Sequence, residues 1–354
     1  QFQPMPLFDF GPMTIGTSDM KQIQIINDGT FPFDYSMVLK DEGDTIKPKS
    51  MPKNRPKPKL PSPQTHGPFI IAPCTQTVQV GQPAILEVDC FAAQEGSFVT
   101  TGSIRITDSD PHKYSKGIPI SLKVQVYTPS IVTNEFDRIF PGLMLCLRYD
   151  VPKVVEAAFL VDEQVLYFAP IILQMKRTID FAIINPNPIP CTVDITVKSK
   201  EKKTPPNFPF DVTEKQLTLE PSATQIIQVT YNPVVMDKFS GMVEATVRNN
   251  PRSVLRFALE GIGTLPSITL QTKLEKTKST YLAPMGKTMI GFLKEKVIAA
   301  KNEGHIPAFV KVTAKPSPDF QLCDIDSSEE IRIDPGNFIM LKAQFTPTKI
   351  RKNV

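Results

Sequence analysis

The sequence contains no tryptophan, only three histidines and only five cysteines in 354 residues. The cysteines (Cys74, Cys90, Cys146, Cys191 and Cys323) are far apart and include no Cys-x-x-Cys pair. There is also no Asn-x-Ser/Thr glycosylation acceptor. An odd number of scattered cysteines without glycosylation sites favours a reducing, intracellular setting over a secreted adhesion array.

Residue patterns that carry common chemistry are missing too. No Gly-x-x-x-x-Gly-Lys-Ser/Thr, Gly-x-Gly-x-x-Gly or Gly-x-Ser-x-Gly occurs, so no phosphate cradle or nucleophilic serine is predicted. His66, His112 and His305 are predicted in separate loops and form no metal-ligand pair. The acidic cluster 324–330 offers carboxylates for Ca²⁺ but lacks the glycine of an EF-hand loop, which favours a solvated connection. We therefore expect no enzyme, cofactor or metal site.

Long apolar runs and a strong net charge are the remaining absences. No segment approaches the roughly 18 apolar residues that span a membrane. The net charge of +4 is small for this length and argues weakly against a nucleic-acid binder. The sequence thus predicts no membrane, nucleic-acid or small-molecule partner.

A short phrase beginning with Asn and ending in Pro is present three times. It reads Asn27–Pro32 (NDGTFP), Asn185–Pro190 (NPNPIP) and Asn302–Pro307 (NEGHIP), and each copy follows an apolar run. Asn and Gly accept the positive φ of a turn, and Pro stops donation into a central ladder. Recurrence at domain-sized spacing indicates tandem copies of one unit.

A second phrase sets the register of the repeat. Pro221 stands ten residues before Tyr231, Pro335 ten before Phe345, and Gly81 ten before Phe91. Two copies continue as aromatic-polar-Pro, in Tyr231-Asn232-Pro233 and Phe345-Thr346-Pro347. We expect domains at 1–130, 131–264 and 265–354, the third lacking its C-terminal part.

Proline is abundant, with 35 residues, and it cuts the chain into segments that suit short strands. Strands are predicted near 20–27, 31–39, 69–72, 84–91, 102–107, 118–127, 164–169, 177–184, 191–198, 216–219, 224–231, 241–247 and 254–260. Short strands with regular turn signals predict tandem immunoglobulin-like antiparallel β-sandwiches. The Cys…Trp…Cys pattern of antibody domains is absent.

Two segments outside the predicted strands are expected to make contacts with other surfaces. The insertion 40–68 of the first unit is rich in Pro and carries Lys47, Lys49, Lys53, Arg55, Lys57 and Lys59 without an acid between them. It is predicted to be an extended loop and is the candidate contact with acidic protein surfaces, the alternative being a solvated insertion without a partner. In the stretch 127–152, the apolar run Ile139–Leu147 is expected to be buried against a neighbouring unit.

The repeated turns, together with Phe8–Gly11, Tyr231-Asn232-Pro233 and Leu259–Gly263, resemble the ASH group of major-sperm-protein-like domains. The family pattern is an opening apolar-Asp-Phe-Gly, the Asn turn, an aromatic-x-Pro strand end and a closing Gly-x-Gly. The second unit has Asn187 in place of a turn Gly. The first unit lacks the strand-end Pro and the Gly pair, reading Leu122–Pro129 there instead. The resemblance covers nearly the whole chain.

The resemblance implies a function that the residues alone do not. Tandem ASH units are typical of ciliary proteins. We therefore expect a non-enzymatic scaffold of the motile-cilium axoneme, in the central-pair apparatus, that contacts microtubules and other central-apparatus proteins and is needed for ciliary motility. The microtubule surface, with its acidic tails, would be the partner of the Lys47–Lys59 loop. The alternative is an intracellular peptide-binding adaptor of the major-sperm-protein type, which needs a basic groove on one sandwich face.

Overall fold

The computed structural model of the chain describes residues 7–40, 63–107, 116–152, 155–201, 205–272, 275–276, 281–323 and 329–350. Within them the regular structure is β-strand, apart from helix α1 (Phe136–Ile139) and one 3-10 turn (Arg148–Asp150). The strands form three successive groups, here called units one, two and three. No described strand pairs with a strand of another unit. The predicted all-β fold of tandem sandwiches is confirmed.

Unit one consists of β1 (Leu7–Thr14), β2 (Ser18–Ile25), β3 (Phe33–Lys40), β4 (Gln64–His66), β5 (Phe69–Ala72), β6 (Thr75–Val78), β7 (Ala84–Phe91), β8 (Gly96–Ile106) and β9 (Ile118–Tyr127). One sheet has the order β1-β9-β8-β3-β6 and the other β2-β7-β5-β4. In β7, Ala84, Leu86, Val88 and Cys90 are buried and alternate with exposed residues. Such alternation directs one face of a strand into the core.

Unit two consists of β10 (Met144–Cys146), β11 (Ala157–Leu160), β12 (Val165–Phe168), β13 (Ile171–Ile172), β14 (Arg177–Ile184), β15 (Cys191–Ser199), β16 (Phe210–Val212), β17 (Gln216–Leu219), β18 (Thr224–Tyr231), β19 (Asp237–Val247) and β20 (Asn250–Thr264). The larger sheet has the order β10-β11-β12-β20-β19-β15-β17, with β13 also on β20, and the smaller has β14-β18-β16. Phe181 of β14 and Phe257 of β20 meet edge to face at 5.3 Å. The two sheets therefore enclose one core.

Unit three consists of β21 (Ile268–Leu270), β22 (Glu275–Lys276), β23 (Tyr281–Leu282), β24 (Lys294–Asn302), β25 (Ala308–Lys311), β26 (Phe320–Cys323), β27 (Glu330–Ile333) and β28 (Phe338–Phe345). Its sheets are β21-β24-β28-β26, β22-β23 and β25-β27. The pair β25–β27 matches β3–β6 and β15–β17, which also follow an Asn turn and are also antiparallel. Unit three thus repeats the same frame.

Several strand bounds coincide with those predicted, namely 69–72, 84–91, 118–127, 177–184, 216–219 and 224–231. The structure adds β1, which lies parallel to β9. It also shows that β12, the strand predicted near 164–169, lies parallel to β20. Strand β1 has no uninterrupted apolar alternation because its register shifts between Asp9 and Pro12. A break of that kind hides a strand from a search for periodicity.

The expectation that Ile139–Leu147 is buried against a neighbouring unit is wrong. Ile139 and Phe140 belong to the core of unit two itself. Phe140 stacks on Phe159 with ring centroids 4.3 Å apart. Helix α1 contacts β14, and its buried residue Ile139 and the following Phe140 thus reach the core of unit two.

Candidate functional site

The repeated Asn of the turn phrase is a buried structural bridge. In unit two, the side-chain amide of Asn185 donates from Nδ2 to the carbonyl oxygens of Ile189, at 2.8 Å, and of Glu220, at 3.0 Å. Its Oδ1 accepts from the backbone N–H of Asn187 at 3.0 Å. One side chain therefore closes the turn and ties it to the residue that follows β17.

The same bonds are present in the other two units. Asn27 Nδ2 donates to Phe31 O at 2.8 Å and Val78 O at 3.1 Å, and Oδ1 accepts from Gly29 N at 3.0 Å. In unit three, Asn302 repeats this with Ile306 O at 2.8 Å, Ile333 O at 2.8 Å and Gly304 N at 2.9 Å. Both amide N–H groups are used within the chain, so the turn phrase specifies folding rather than a ligand contact by Asn.

Two further motifs of the second unit are in direct contact. A Cβ placed on Gly261 would lie 2.6 Å from Cζ of Tyr231, and one on Gly263 would lie 2.6 Å from Cβ of Pro233. The aromatic-x-Pro strand end therefore requires the closing Gly-x-Gly. Unit one lacks both Gly residues and also lacks the Pro. The two motifs are absent together because they contact each other in the unit that has them.

The second phrase is out of register by one residue in unit one. Turn residues with positive φ are Gly81 (73°), Ser222 (56°) and Gly336 (79°). Gly81 therefore matches Ser222 and Gly336. The spacing had predicted that Gly81 matches Pro221, and this alignment is wrong.

The strand ladders give the same alignment. Ile25 pairs with Ala84, and the matching Ile183 of unit two pairs with Gln225. Counting along both strands from these pairs, the counterpart of Tyr231 is the buried Cys90. The exposed Phe91 is one residue too late. The assignment of Phe91 to the repeat is wrong, since spacing to an aromatic cannot distinguish the two faces of a strand.

The connection between units one and two is held by hydrogen bonds from the Asn turn of unit two. Nδ2 of Asn187 donates to Ser130 Oγ at 2.8 Å and to Thr128 O at 3.3 Å. The amide of Asn250 donates to Pro129 O at 2.8 Å. Asn187 stands where the other turns have Gly, so the departure from the repeat supplies a joint contact.

The same segment is fastened at its two ends. Thr128 Oγ1 donates to Glu95 of unit one at 2.8 Å. Val132 N donates to Ile184 O, and Ile131 N donates to Ser253 Oγ, both at 3.0 Å. Residues 128–132 are therefore bonded to both units.

The connection between units two and three passes the Asn turn of unit three. Glu303 N donates to Ser267 O at 2.9 Å, and Ile268–Leu270 then pairs with β24. A Cβ on Gly304 would lie 3.0 Å from Ser267 N, so the linker backbone runs against this glycine. In both joints the turn of the following unit contacts the incoming linker.

A repeated signal for these joints is present in the sequence and was missed. The linkers read Thr128-Pro129-Ser130-Ile131 and Leu265-Pro266-Ser267-Ile268. Ser130 and Ser267, the equivalent residues, both contact the turn. The Pro-Ser-Ile phrase is visible once the chain is compared with itself at the domain spacing.

A cavity of about 780 Å³ lies at the second joint. Its charged or titratable lining residues are Arg148, Glu156, Tyr167, Arg177, His305, Arg332 and Asp334. Arg148 also bonds Glu163 and Glu260, and its hydrogen bond lowers the pKa of the Glu163 carboxyl. The lining has mixed charge, without the arrangement of a nucleophile and base.

The predicted site residues are placed as follows. Lys47, Lys49, Lys53, Arg55, Lys57 and Lys59 lie outside the described residues, as do His112 and most of the acidic cluster 324–330. His305 is in the third Asn turn. His66 ends strand β4, so the expectation that it lies in a loop is wrong.

In the described part of the chain, no three His, Cys, Asp or Glu side chains are grouped as metal ligands. No helix there has the length and apolar character to cross a membrane. None of the five cysteines, all of which lie in the described part, forms a disulfide, and burial raises the pKa of the Cys90 thiol to about 11. Cys90 is therefore an unreactive core residue.

Part of the chain is similar in sequence to known proteins. The chain is 26% identical over 262 residues to the hydrocephalus-inducing protein of Mus musculus, covering 70% of this chain and 5% of that protein. It is 23% identical over 260 residues to the Homo sapiens homologue, again covering 70% and 5%. The chain thus spans about one twentieth of the length of these relatives. No family model matches.

Solved structures with local likeness include the ASH / PapD-like domain 7 of human CEP192, with 14% identity and a TM-score of 0.25, covering 35% of this chain and 95% of that domain. The C. elegans major-sperm-protein family member WR4 covers 29% of this chain and 94% of its own, at 6% identity and a TM-score of 0.20. The recognition drawn from the repeated turns is confirmed by the sequence relatives: over most of its length, the chain is similar to the hydrocephalus-inducing protein, Hydin.

Proposed function

We propose that this chain is part of a non-enzymatic structural scaffold of the motile-cilium axoneme, in a projection of the central-pair microtubules, and that ciliary motility needs it. The observation that carries the proposal is the pair of joints, in which each Asn turn holds the linker from the unit before it. Similarity to the hydrocephalus-inducing protein and the resemblance to ciliary ASH proteins support it.

Bonded joints suit a load-bearing rod. A linker that is hydrogen-bonded to the units on both sides has less conformational freedom than a free tether. Residues 128–132 have such bonds on both sides. We propose domain boundaries at 130/131 and 264/265, which coincide with these connections.

The alternative of a peptide-binding adaptor requires a basic groove on a sandwich face. On and next to the larger sheet of unit two, three cations are paired with acids. Lys198 and Arg256 both bond Glu244, and Arg248 bonds Asp194. Paired charges present less net potential to an acidic peptide, which favours the scaffold.

The proposed microtubule contact is the basic loop that contains Lys47, Lys49, Lys53, Arg55, Lys57 and Lys59. Six cations clustered in one Pro-rich stretch of sequence act together on an acidic surface even when salt weakens each contact. Other proposed partners are central-apparatus proteins, and the proposed location is the axoneme.

The test is localisation of the tagged full-length protein in a motile ciliated cell, with tomography of axonemes from which it has been removed. Loss of a density on the central pair, with reduced motility, is the expected result. Signal at the endoplasmic reticulum with intact axonemes would overturn the scaffold proposal in favour of the adaptor.

A further inference from the structure

The Asn turn of unit one has the same internal bonds as the other two turns but a different surface. The apolar residue before its Pro is Phe31, which is 79% exposed, whereas the equivalent Ile189 and Ile306 are 2% and 5% exposed. The residue before the Asn also differs. Ile26 is 58% exposed, and its counterpart Ile184 is 5% exposed.

The difference in exposure between the turns follows the presence of a linker. The turns with buried apolar residues are the two that receive an incoming Pro-Ser-Ile segment. Val132 of one such segment bonds the carbonyl of Ile184, and Ile131 and Val132 pack in the same cluster as Ile184. In unit two the linker therefore contacts Ile184, which is the counterpart of the exposed Ile26 in unit one.

A groove beside the open turn has room for a segment of this kind. Its volume is about 950 Å³. The lining residues include Asp28, Thr30, Phe31, Pro32, Asp34 and Thr107. Exposed apolar side chains around a groove with polar edges are typical of protein contact sites.

The turn of unit one has the same kinds of backbone hydrogen-bonding groups that the turns of units two and three use at their joints. Unit three bonds its linker through the N–H of Glu303, the second turn residue. Unit two has Pro186 there, which lacks an N–H, and Asn187 supplies a side-chain donor instead. Unit one has Asp28 at this position, which keeps the N–H, and Ile26 supplies the carbonyl equivalent to that of Ile184.

From these observations we propose that the Asn turn of unit one is a docking site for an extended Pro-Ser-Ile segment from another unit of the same repeat. Asp28 N–H and Ile26 C=O bond the segment backbone, and Phe31 and Ile26 cover its apolar side chain. Proline favours the extended conformation that the segment needs. The inference rests on the internal repeat and does not depend on the ciliary role.

The experiment uses the whole chain and a labelled peptide with residues 125–134 (QVYTPSIVTN). The expected result is saturable binding by fluorescence anisotropy, with photo-crosslinks from the peptide to residues 26–33. In the variant Phe31→Asp the affinity is expected to fall by about tenfold or more. A peptide with the central Pro-Ser-Ile scrambled is expected not to compete.

The matched control is Phe91→Asp, which changes an exposed aromatic at the opposite end of β7 and is expected to leave binding unchanged. Circular dichroism checks that both variants are folded. Failure of the peptide to bind would overturn the proposal. Binding that is unaffected by Phe31→Asp and crosslinks to 185–190 or 302–307 would also overturn it, because the peptide would then be replacing the resident linkers.

Discussion

The repeated Asn shows how one buried polar side chain specifies a turn. An Asn amide has two N–H donors and an oxygen acceptor, and in each of the three copies Nδ2 donates to the carbonyl oxygen four residues later. A buried polar group costs free energy unless it is hydrogen-bonded. The position therefore accepts few residues other than Asn.

Replacing Asn185 by Ala is expected to destabilise unit two by about 3 kcal/mol, because the buried Ile189 O and the partly buried Glu220 O and Asn187 N lose their partner. Urea unfolding with hydrogen exchange of β14 and β18 measures this loss. The control is Asn134→Ala at an exposed position. Equal stability of the two variants would contradict the structural role of Asn185.

Tyr231 and Gly261 make a second prediction at this scale. The Tyr231 hydroxyl is buried and has no hydrogen-bond partner among the described residues, and burial raises its pKa. Tyr231→Phe is expected to preserve stability or raise it by up to about 1 kcal/mol, because an unpaired polar group is removed. Phe345 occupies the equivalent position in unit three.

The companion variant Gly261→Ala is expected to cost about 1–3 kcal/mol, because its Cβ overlaps the Tyr231 ring. Combined with Tyr231→Ala, the loss is expected to be smaller than the sum of the single losses, as in a double-mutant cycle for a contact. Additive losses would show that the two motifs do not depend on each other.

At the scale of elements, the linkers and the turns act together. Asn187→Gly gives the second turn the residue that the other turns have and keeps the N–H that bonds Asn185. It removes the bonds to Thr128 and Ser130. We expect little loss of stability in unit two but faster amide exchange and proteolysis at 128–132.

The variant Ser130→Ala removes one acceptor of Asn187 from the opposite side and is expected to act in the same direction. Unchanged protection of 128–132 in both variants would mean that the side chain of Asn187 does not hold the joint.

The basic loop is the other element with a test. Changing Lys47, Lys49, Lys53, Arg55, Lys57 and Lys59 to Gln is expected to lower the microtubule-bound fraction in co-sedimentation, most at low salt, because the contact is electrostatic. The control variant changes Lys200, Lys202 and Lys203 of unit two to Gln. Unchanged pelleting across a salt series would reject the loop as the contact.

At the scale of the whole molecule, the three units differ in how much core they have. Units one and two each have a large buried cluster. Among the described residues of unit three, the buried apolar ones are Ala300, Ile306, Ala308, Ile333 and Phe345, whereas Phe292, Phe309 and Phe338 are exposed. Within the described residues, β25 pairs only with β27.

Hydrogen exchange of this chain is therefore expected to be slower in β18 than in the equivalent β28, by roughly tenfold or more, since protection follows buried contacts. Mass spectrometry of matched peptic peptides gives both rates in one sample. Equal protection of the two strands would contradict the difference in packing.

The sequence by itself determined the repeat, the all-β class and many strand bounds. These features depend on local rules: prolines that end segments, alternation that marks a half-buried strand, and Asn and Gly in turns. Strands β14 and β18 show this, since their bounds were predicted without error.

Only the tertiary structure decided which partners those local features meet. The one-residue choice between Cys90 and Phe91 depends on which face of β7 packs on the core. The placement of Ile139 and Phe140 in their own unit depends on the packing of α1 against β14. The bonds from Asn187 to the linker join residues far apart in the chain. Contacts of this kind depend on how the sheets pack and on where the linkers cross the turns. Local residue propensity does not determine them.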